Sequence, residues 1–397
     1  MWRREAPHVR AALLRRWGHL DACDDAVQEA AEAAVTRWPV TGVPDDPRAW
    51  LVRVASRRLI DQLRADSARA RRESLDAARR PDAAVDQTPT NRADDTLRLL
   101  FLCCHPALSR PSQVALTLRA VAGLRVEQIA AAHLVPARTM TQRLHRARTA
   151  LRRAGARFTL PSPPELPARV AAVLDVCHLV FTEGYTRTSG TTLLDVELAE
   201  EAIRLTRQVH AALPDHHEAT GALALMLLTH ARSPARTDAA GDLVPLAEQD
   251  RTRWRHDLID EGVTLLGQAL PHGPVGRYQL QAAIAAVHAE APTFPATDWR
   301  QISILYDMLS RVAPSPFVTL NQAVAVAMAH GPSLGLALLD PLLTDPAMLR
   351  HHRLHAVRAH LLERTGDPDA AAHYRRAAAL TASLPEQRYL NRRLTGR

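Results

Sequence analysis

The sequence contains no lysine: all 50 of its basic residues are arginine, a bias more typical of a GC-rich genome than of a physical requirement. Aromatic residues make up only 4% of the chain, and no run shows sustained alternation of β-branched residues. Such alternation marks the strands of a sheet, so few strands are expected. Alanine, leucine, arginine and glutamate dominate instead, and these helix formers predict an all-α protein.

Cysteines and long apolar runs are also scarce. The four cysteines lack the spacing of a disulfide framework, and the N-terminal residues do not resemble a signal peptide. No segment approaches the ~20 apolar residues of a membrane span. We therefore expect a cytoplasmic protein that does not insert into a membrane.

Motifs that would indicate an enzyme or a metal site are missing as well. The chain has no HExxH pattern, glycine-rich phosphate loop or nucleophile elbow, so neither a catalytic residue nor a cofactor is expected. Cys103-Cys104-His105 offers zinc-type ligands, but adjacent cysteines chelate poorly and the other cysteines lie far away. A buried helix end before Pro106 is the favoured interpretation, and no metal is expected.

Charge is distributed unevenly along the chain. Residues 1–155 hold 27 arginines against 17 acidic residues, whereas residues 156–397 hold 23 against 25. The first part has the electrostatics of a polyanion-binding protein, and the second has those of an ordinary soluble domain. Because 397 residues are also too many for one ordinary core, two functions in separate domains are implied.

Changes in composition divide the chain into four parts. The first part is expected to contain two helices around a break at residues 18–24 and a third helix from Pro47 to about Arg64. The predicted division is a helical module at 1–66, a charged flexible linker at 67–95, a second helical module at 96–156, and a helical domain at 157–397.

The segment 124–153 has the pattern of a helix-turn-helix. A short amphipathic helix is broken at Pro136, and a second helix follows. The inward face of the second helix is assigned to Thr139, Leu144, Ala147 and Leu151. Six arginines and no acidic residue follow Glu127, so the outer face of this helix can neutralise phosphates. Nucleic-acid recognition is therefore the leading hypothesis.

The last part of the chain has a repeat-like pattern. A helix containing Leu354 and Leu361, a turn at Gly366 and a helix containing Tyr374 have the form of a tetratricopeptide hairpin. Gly331 precedes Gly366 by 35 residues, which is close to the ~34-residue period of these repeats. Stacked hairpins form a concave surface for a peptide, another protein or a small molecule. Plain α-helical packing is the alternative.

Three motifs follow one another in the first 155 residues: DDAVQE at 24–29 followed by Trp38, the stretch from Ala49 to Arg64, and the helix-turn-helix. In this order and at this separation they resemble the extracytoplasmic-function (ECF) group of bacterial RNA polymerase sigma factors. They are similar to the polymerase-docking helix of sigma region 2, to the segment that melts and reads the −10 element, and to the −35-reading helix of region 4.

The remainder of the chain resembles the extension of one ECF subgroup, which carries a long tetratricopeptide-like C-terminal domain. The motifs that carry this resemblance are FTEGY at 181–185, QDRTRW at 249–254 and YQLQAAIAAVHA at 278–289. The resemblance implies an all-α fold of two sigma modules, a linker and a helical repeat domain. The loop 236–254 either latches onto another surface or stabilises its own domain, and the sequence favours neither.

The resemblance also implies roles for individual residues. Contact with core RNA polymerase is expected from Asp24, Asp25, Gln28 and Glu29, for which a solvated helix face is the alternative. Contact with the −10 element is expected from Arg53, Arg57, Arg58 and Arg64. Contact with the −35 element is expected from Arg138, Thr139, Thr141, Gln142, Arg143, Arg146 and Arg148.

Two departures from the family pattern bear on promoter sequence. Arg57 stands where many relatives have asparagine, and Thr141-Gln142 stands where lysine or arginine followed by serine is common. Because asparagine and glutamine pair with adenine whereas arginine favours guanine, the base preference is expected to shift. Trp50 is assigned to packing, and the loop 40–48 is the candidate for receiving a flipped −10 base.

The function that the resemblance implies is that of an alternative sigma factor. It would bind core RNA polymerase and promoter DNA, and its C-terminal domain, with or without a ligand, would regulate it in cis. One alternative is a polymerase-independent helix-turn-helix regulator with a ligand-sensing or peptide-sensing repeat domain. Another is a repeat scaffold with incidental basic charge, which would have no effect at promoters.

Overall fold

The structure is a computed structural model that describes residues 2–18, 20–73, 92–133, 135–271 and 273–394. Within these ranges, the side chains of residues 2–4, 65–73, 92–94 and 131–132 are not described. The chain forms two compact units, Met1–Val176 and Cys177–Arg397. The described residues are mainly α-helical, and their only strands are two pieces of two residues each, which confirms the all-α prediction.

The first unit contains seven described helices and the beginning of an eighth. Their bounds are α1 Trp2–Trp17, α2 Leu20–Thr41, α3 Pro47–Glu73, α4 Arg92–Cys103, α5 Arg110–Ala120, α6 Val126–Ala132, α7 Ala137–Arg153 and α8 Leu166–Tyr185. Helices α1, α2 and α3 pack together as one module, and α4 to α7 form the other, with α1 packed against α4. The two modules therefore share an interface within one compact unit.

Apolar spacing explains the core of each module. Helix α2 buries Leu20, Cys23 and Val27 at helical spacing, which places them on the side that faces its neighbours. Helix α5 is buried from Gln113 to Ala120 and forms the centre of the second module. Gly155 ends this module in a left-handed conformation, with a φ of 63°.

The predicted boundaries need correction in three places. The break near residue 20 is shorter than expected, because α2 already begins at Leu20. Helix α3 continues to Glu73 and α4 begins at Arg92, so the ends of the predicted linker at 67–95 are helical. Alanine and arginine are strong helix formers even without an apolar stripe, which explains this extension of α3. The rest of the linker, residues 74–91, lies outside the described residues.

The second unit is a series of helices in which each packs against its neighbours in sequence. Their bounds are α9 Val196–Ala212, α10 His217–His230, α11 His256–Ala269, α12 Arg277–Glu290, α13 Trp299–Val312, α14 Pro316–His330, α15 Pro332–Leu339, α16 His352–Thr365, α17 Ala370–Leu380 and α18 Leu384–Leu394. Two short strands, β1 Ser189–Gly190 and β2 Ala382–Ser383, pair in parallel, with Ser189 opposite Ala382.

The predicted helical hairpin near the C-terminus is present. Helix α16 ends at Gly366, which has a left-handed φ of 74°, and α17 packs against α16. Gly331, with a φ of 106°, makes the corresponding turn between α14 and α15. Assignment of these hairpins to the tetratricopeptide family stays a prediction. No described helix is both long and apolar enough to cross a membrane.

Candidate nucleic-acid interface

Helix α7, the second helix of the helix-turn-helix, begins after Pro136 at Ala137, and four residues make up its buried face. Those residues are Met140, Leu144, Ala147 and Leu151. The inward assignment of Thr139 was wrong, because this side chain is exposed and Met140 takes the inner position. The spacing of four, three and four residues from Met140 keeps the face continuous.

The first half of α7 presents its polar side chains to solvent. The exposed residues here are Arg138, Thr139, Thr141, Gln142 and Arg146, and Arg143 is half-buried. Thr141 donates a hydrogen bond to the Ala137 carbonyl at 3.0 Å, which orients its hydroxyl along the helix. An open concavity of about 600 Å³ lies further along α7, where His145, Arg146 and Arg153 contribute to its lining. The sequence therefore places cationic and hydrogen-bonding groups on a free surface.

The second half of α7 is instead engaged with the first module. Arg148 is only 15% exposed and forms a short ion pair with Asp24 of α2. Its Nε atom also lies 3.5 Å from a carboxylate oxygen of Asp21. Arg152 donates to the other oxygen of Asp21 at 2.9 Å. Arg148 and Arg152 are therefore paired with carboxylates within the unit.

Asp24 is the centre of this contact and is 1% exposed. Arg10 of α1 donates to one carboxylate oxygen through Nε at 3.1 Å and Nη2 at 2.6 Å. The other oxygen accepts from Arg148 and, at 3.4 Å, from Nε of Arg119. Arg10 also donates a short hydrogen bond to the carbonyl of Ala120. Asp24 thus joins helices of both modules through three guanidinium groups.

The charge state of Asp24 follows from these neighbours. Burial raises the pKa of its carboxyl, but Arg10, Arg148 and Arg119 together outweigh burial and hold the pKa below the ordinary value of 3.8. The contribution of Asp24 to stability is therefore present above pH 3.8 and is lost as the pH falls through the lowered pKa. At neutral pH the contact is ionic.

The other residues assigned to polymerase docking have different surroundings from Asp24. Asp25 and Glu29 are exposed, and Gln28 is half-buried. Burial raises the pKa of Asp25, with Arg148 acting in the opposite direction. These three predicted docking residues are thus at least partly accessible, whereas the Asp24 carboxylate is covered in this arrangement.

All four arginines assigned to the −10 element lie on α3 and are exposed. At about 100° per residue, Arg53, Arg57 and Arg64 share one side of the helix. Arg58 points about 100° away from Arg57 and lies 3.5 Å from Glu29 of α2. The structure therefore groups three of these arginines in one stripe and pairs the fourth with a residue assigned to polymerase docking.

Two tryptophans pack against each other where α2 leads into α3. Trp38 and Trp50 are both half-buried, and their ring centroids lie 5.4 Å apart. Arg48 forms an ion pair with Glu5 at 2.5 Å. Beside this pair lies an open concavity of about 320 Å³, which Asp46 and Pro47 also line. The ring contact fits a packing role for Trp50.

The cysteine pair lies where α4 ends, as the favoured interpretation required. Cys103 and Cys104 are both 0% exposed. The Cys103 thiol lies 3.8 Å from the carbonyl of Leu116, and the Cys104 thiol lies 3.8 Å from the Thr117 hydroxyl. Burial raises the pKa of Cys104 to about 12, so its thiol is protonated at neutral pH. These groups pack inside the second module.

The motifs of the extension lie at helix contacts within the second unit. Gly184, in FTEGY, approaches α9 so closely that an added Cβ would lie 2.4 Å from the Ala199 nitrogen. Glu218 accepts from the backbone nitrogens of Tyr278 and Gln279 at 3.1 Å. Trp254, in QDRTRW, is 3% exposed and lies beside Arg232 and Arg251, so this end of the loop 236–254 packs within the second unit. The two roles considered for the loop stay predictions.

Sequence reasoning missed three residues of the contact between the modules. Arg10 lies among the buried residues of α1, Arg119 lies within the buried part of α5, and Asp21 lies one turn before Asp25. An arginine on an otherwise apolar helix face is the signal that would have indicated a buried ion pair. The partners themselves could not be read from the sequence, because they lie 14 to 131 residues apart.

Family models match three parts of the chain. The family models for sigma-70 region 2 and sigma-70 region 4 match residues 1–69 and 98–151. A family of unknown function, DUF6596, matches residues 169–270. An uncharacterized protein of Rhizobium meliloti is 41% identical over 401 residues, which cover 98% of this chain and 93% of that protein.

A second relative carries a functional name. The probable ECF RNA polymerase sigma factor SigI of Mycobacterium tuberculosis is 33% identical over 151 residues, which cover 37% of this chain and 51% of SigI. No solved structure matches the chain. Regions 2 and 4 in this order define a sigma factor of the sigma-70 class. The chain thus carries the two sigma-70 regions, is consistent with an ECF-type sigma factor, and continues into a C-terminal extension that contains DUF6596.

Proposed function

We propose that this protein directs core RNA polymerase to promoters by recognising a −35 element with α7 and opening a −10 element with α3. The free half of α7 carries this proposal, because it presents Arg138, Gln142 and Arg146 on an exposed helix face. The second helix of a helix-turn-helix reads base edges in the major groove with its first turns. Mixed arginine, glutamine and threonine side chains suit both phosphate contact and base readout.

The first module supports the second half of the proposal. The stripe of Arg53, Arg57 and Arg64 gives α3 a phosphate-binding side, and the concavity beside Arg48 offers space next to the loop 40–48 for an extruded base. Asp25, Gln28 and Glu29 on α2 form the polymerase-docking surface that is accessible in this arrangement. The docking and DNA-binding residues thus lie on adjacent helices.

Replacement of Arg146 by alanine tests the −35 assignment. Arg146 is exposed on the free surface of α7, so if it reads a base, its loss should weaken binding by about 1–3 kcal/mol and relax preference at one −35 position. The measurement is transcription by reconstituted holoenzyme from a promoter library randomised at the −35 element. Arg125→Ala, an exposed arginine before α6, is the matched control. A uniform loss over all library members would assign Arg146 to the phosphate backbone instead.

The extension is proposed to regulate the sigma modules in cis. The extension forms the second compact unit of the chain. The same polypeptide continues into it from the two sigma modules. Truncation after residue 176 tests the proposal, because it keeps the contact of Arg110 in α5 with Asp175 in α8. Regulation predicts that residues 1–176 and the full chain differ in promoter-dependent transcription. Equal activity of the two proteins would contradict it.

A further inference from the structure

Two arginines of the extension meet at one tryptophan without an acidic partner. The guanidinium carbon of Arg251 lies 4.5 Å from the centre of the Trp254 ring, and that of Arg232 lies 5.6 Å from it. Neither arginine forms an ion pair with a carboxylate among the described residues. Burial lowers the pKa of Arg251, and the charge of Arg232 lowers it further. The site therefore concentrates positive charge that the protein does not neutralise.

Several hydrogen-bond donors at this site have no partner. The buried atoms without a hydrogen bond include Nε of Arg232, Nη2 of Arg251 and Nε1 of Trp254. Trp254 is 3% exposed, so water reaches its ring poorly. A buried donor without a partner is unfavourable, so an acceptor that reaches these three donors would be bound favourably.

The surroundings hold these donors in place. The other guanidinium nitrogen of Arg251, Nη1, donates to the carbonyls of His288 and Ala291 at 2.6 Å each and thereby caps the end of α12. His288 adds one more unpartnered buried nitrogen, Nδ1, and its ring packs edge-on against Trp299 at 5.1 Å. Burial, followed by Arg232 and Arg251, lowers the pKa of His288 to about 4, so the ring is neutral at pH 7.

We propose that Arg232, Arg251 and Trp254 form a binding site for the oxyanion of a small ligand, either a phosphate or a carboxylate group. An oxyanion neutralises the two guanidinium groups and accepts the hydrogen bonds that are unmade within the chain. Both arginines are half-buried, so part of each side chain reaches solvent on the entry side. The site lies wholly in the second unit, and its existence does not depend on the sigma activity of the first.

Thermal unfolding of the full chain in the presence of inorganic phosphate tests the proposal, with sodium chloride used to hold the ionic strength constant. The Tm of the wild-type protein should rise with phosphate and reach saturation. Arg232→Gln should raise the phosphate concentration at half-saturation by about tenfold, which corresponds to one lost charge-assisted hydrogen bond. Arg253→Gln is the matched control, because it removes an exposed charge from the three-residue helix Arg251–Arg253, which also carries Arg251.

The same titration with citrate distinguishes a carboxylate from a phosphate ligand, and saturation with either anion supports the site. Trp254→Phe provides a second variant, because it keeps an aromatic ring but removes the N–H donor. It should also raise the anion concentration at half-saturation. Circular dichroism of each variant before heating checks that the helices are intact. Absence of saturation with both anions in the wild-type protein, or equal half-saturation in Arg232→Gln and wild type, would overturn the proposal.

Discussion

Arg10 and Arg146 show the two environments that arginine occupies in the first unit. Arg10 is 2% exposed, and its guanidinium is committed to Asp24 and to the carbonyl of Ala120. Arg146 is exposed on α7. A buried guanidinium requires such partners, because a charge without them is costly in the interior. Only exposed arginines such as Arg146 are available to nucleic acid in the described arrangement.

His178 makes stability depend on pH. It lies on α8 with its ring centre 5.4 Å from that of Tyr278, and burial lowers its pKa from 6.5 to about 4. Between these two values the unfolded chain binds more protons than the folded chain, so stability falls as the pH falls. The loss from pH 7 to pH 5 should be about 2 kcal/mol for this residue.

Urea unfolding at pH 7 and pH 5 measures this effect in wild type and in His178→Phe. The variant keeps a ring against Tyr278 but cannot take up a proton. Its loss of stability between the two pH values should be smaller than that of wild type by about 2 kcal/mol. The same loss in both proteins would show that His178 is protonated as easily in the folded state as in the unfolded state.

The close approach of the end of α8 to the beginning of α9 depends on Gly184. A Cβ at this position would lie 2.4 Å from the nitrogen and 2.9 Å from the Cα of Ala199, which are backbone atoms that cannot move aside alone. Gly184→Ala should therefore force the helices apart and destabilise the protein by about 1–3 kcal/mol in thermal or urea unfolding.

Gly267→Ala is the matched control for this prediction. Gly267 lies inside α11, and a Cβ there would meet no atom within 4 Å. Alanine should stabilise this helix by up to about 1 kcal/mol, because glycine has the greater backbone freedom in the unfolded chain. Stabilisation by both variants to the same extent would argue that helix propensity, not the close approach of α8 to α9, sets the effect at Gly184.

At the scale of elements, local pattern predicted more than long-range pairing. The second helix of the helix-turn-helix could be placed from its cationic residues and its apolar spacing, and only Thr139 was assigned to the wrong side. The hairpin turn at Gly366 could be placed because glycine favours the left-handed conformation found there. The burial of Asp24 could not be predicted, because Arg119 and Arg148 lie about 100 residues or more away in sequence.

At the scale of the whole molecule, the first unit is in a closed arrangement in which several ion pairs join the two modules, most of them at Asp21 and Asp24. Asp24 pairs with Arg148 and Asp21 pairs with Arg152, both on α7. DNA phosphates would have to contact these same arginines. We propose that these carboxylates compete with DNA for Arg148 and Arg152. The free first half of α7 is then sufficient for an initial encounter, and full engagement requires release of the second half.

Asp21→Asn tests this competition in the full-length protein. The substitution removes the partner of Arg152 and one partner of Arg148, so affinity for a −35 duplex should increase by about fivefold. Glu32→Gln makes the same change of charge at an exposed position of α2 and is the control for general electrostatics. Fluorescence anisotropy with labelled duplex gives both affinities. Equal increases in DNA affinity in Asp21→Asn and Glu32→Gln would contradict a specific competition between Asp21 and DNA.

The central claim is that the chain directs promoter-dependent initiation, and one measurement addresses it most directly. The full-length protein is mixed with bacterial core RNA polymerase, the complex is isolated by gel filtration, and run-off transcription is measured on a library of ECF-type promoters. We predict co-elution and a run-off product that requires both the −35 and the −10 element. Binding of the protein to duplex DNA with no co-elution and no run-off product would contradict the account and favour a polymerase-independent regulator.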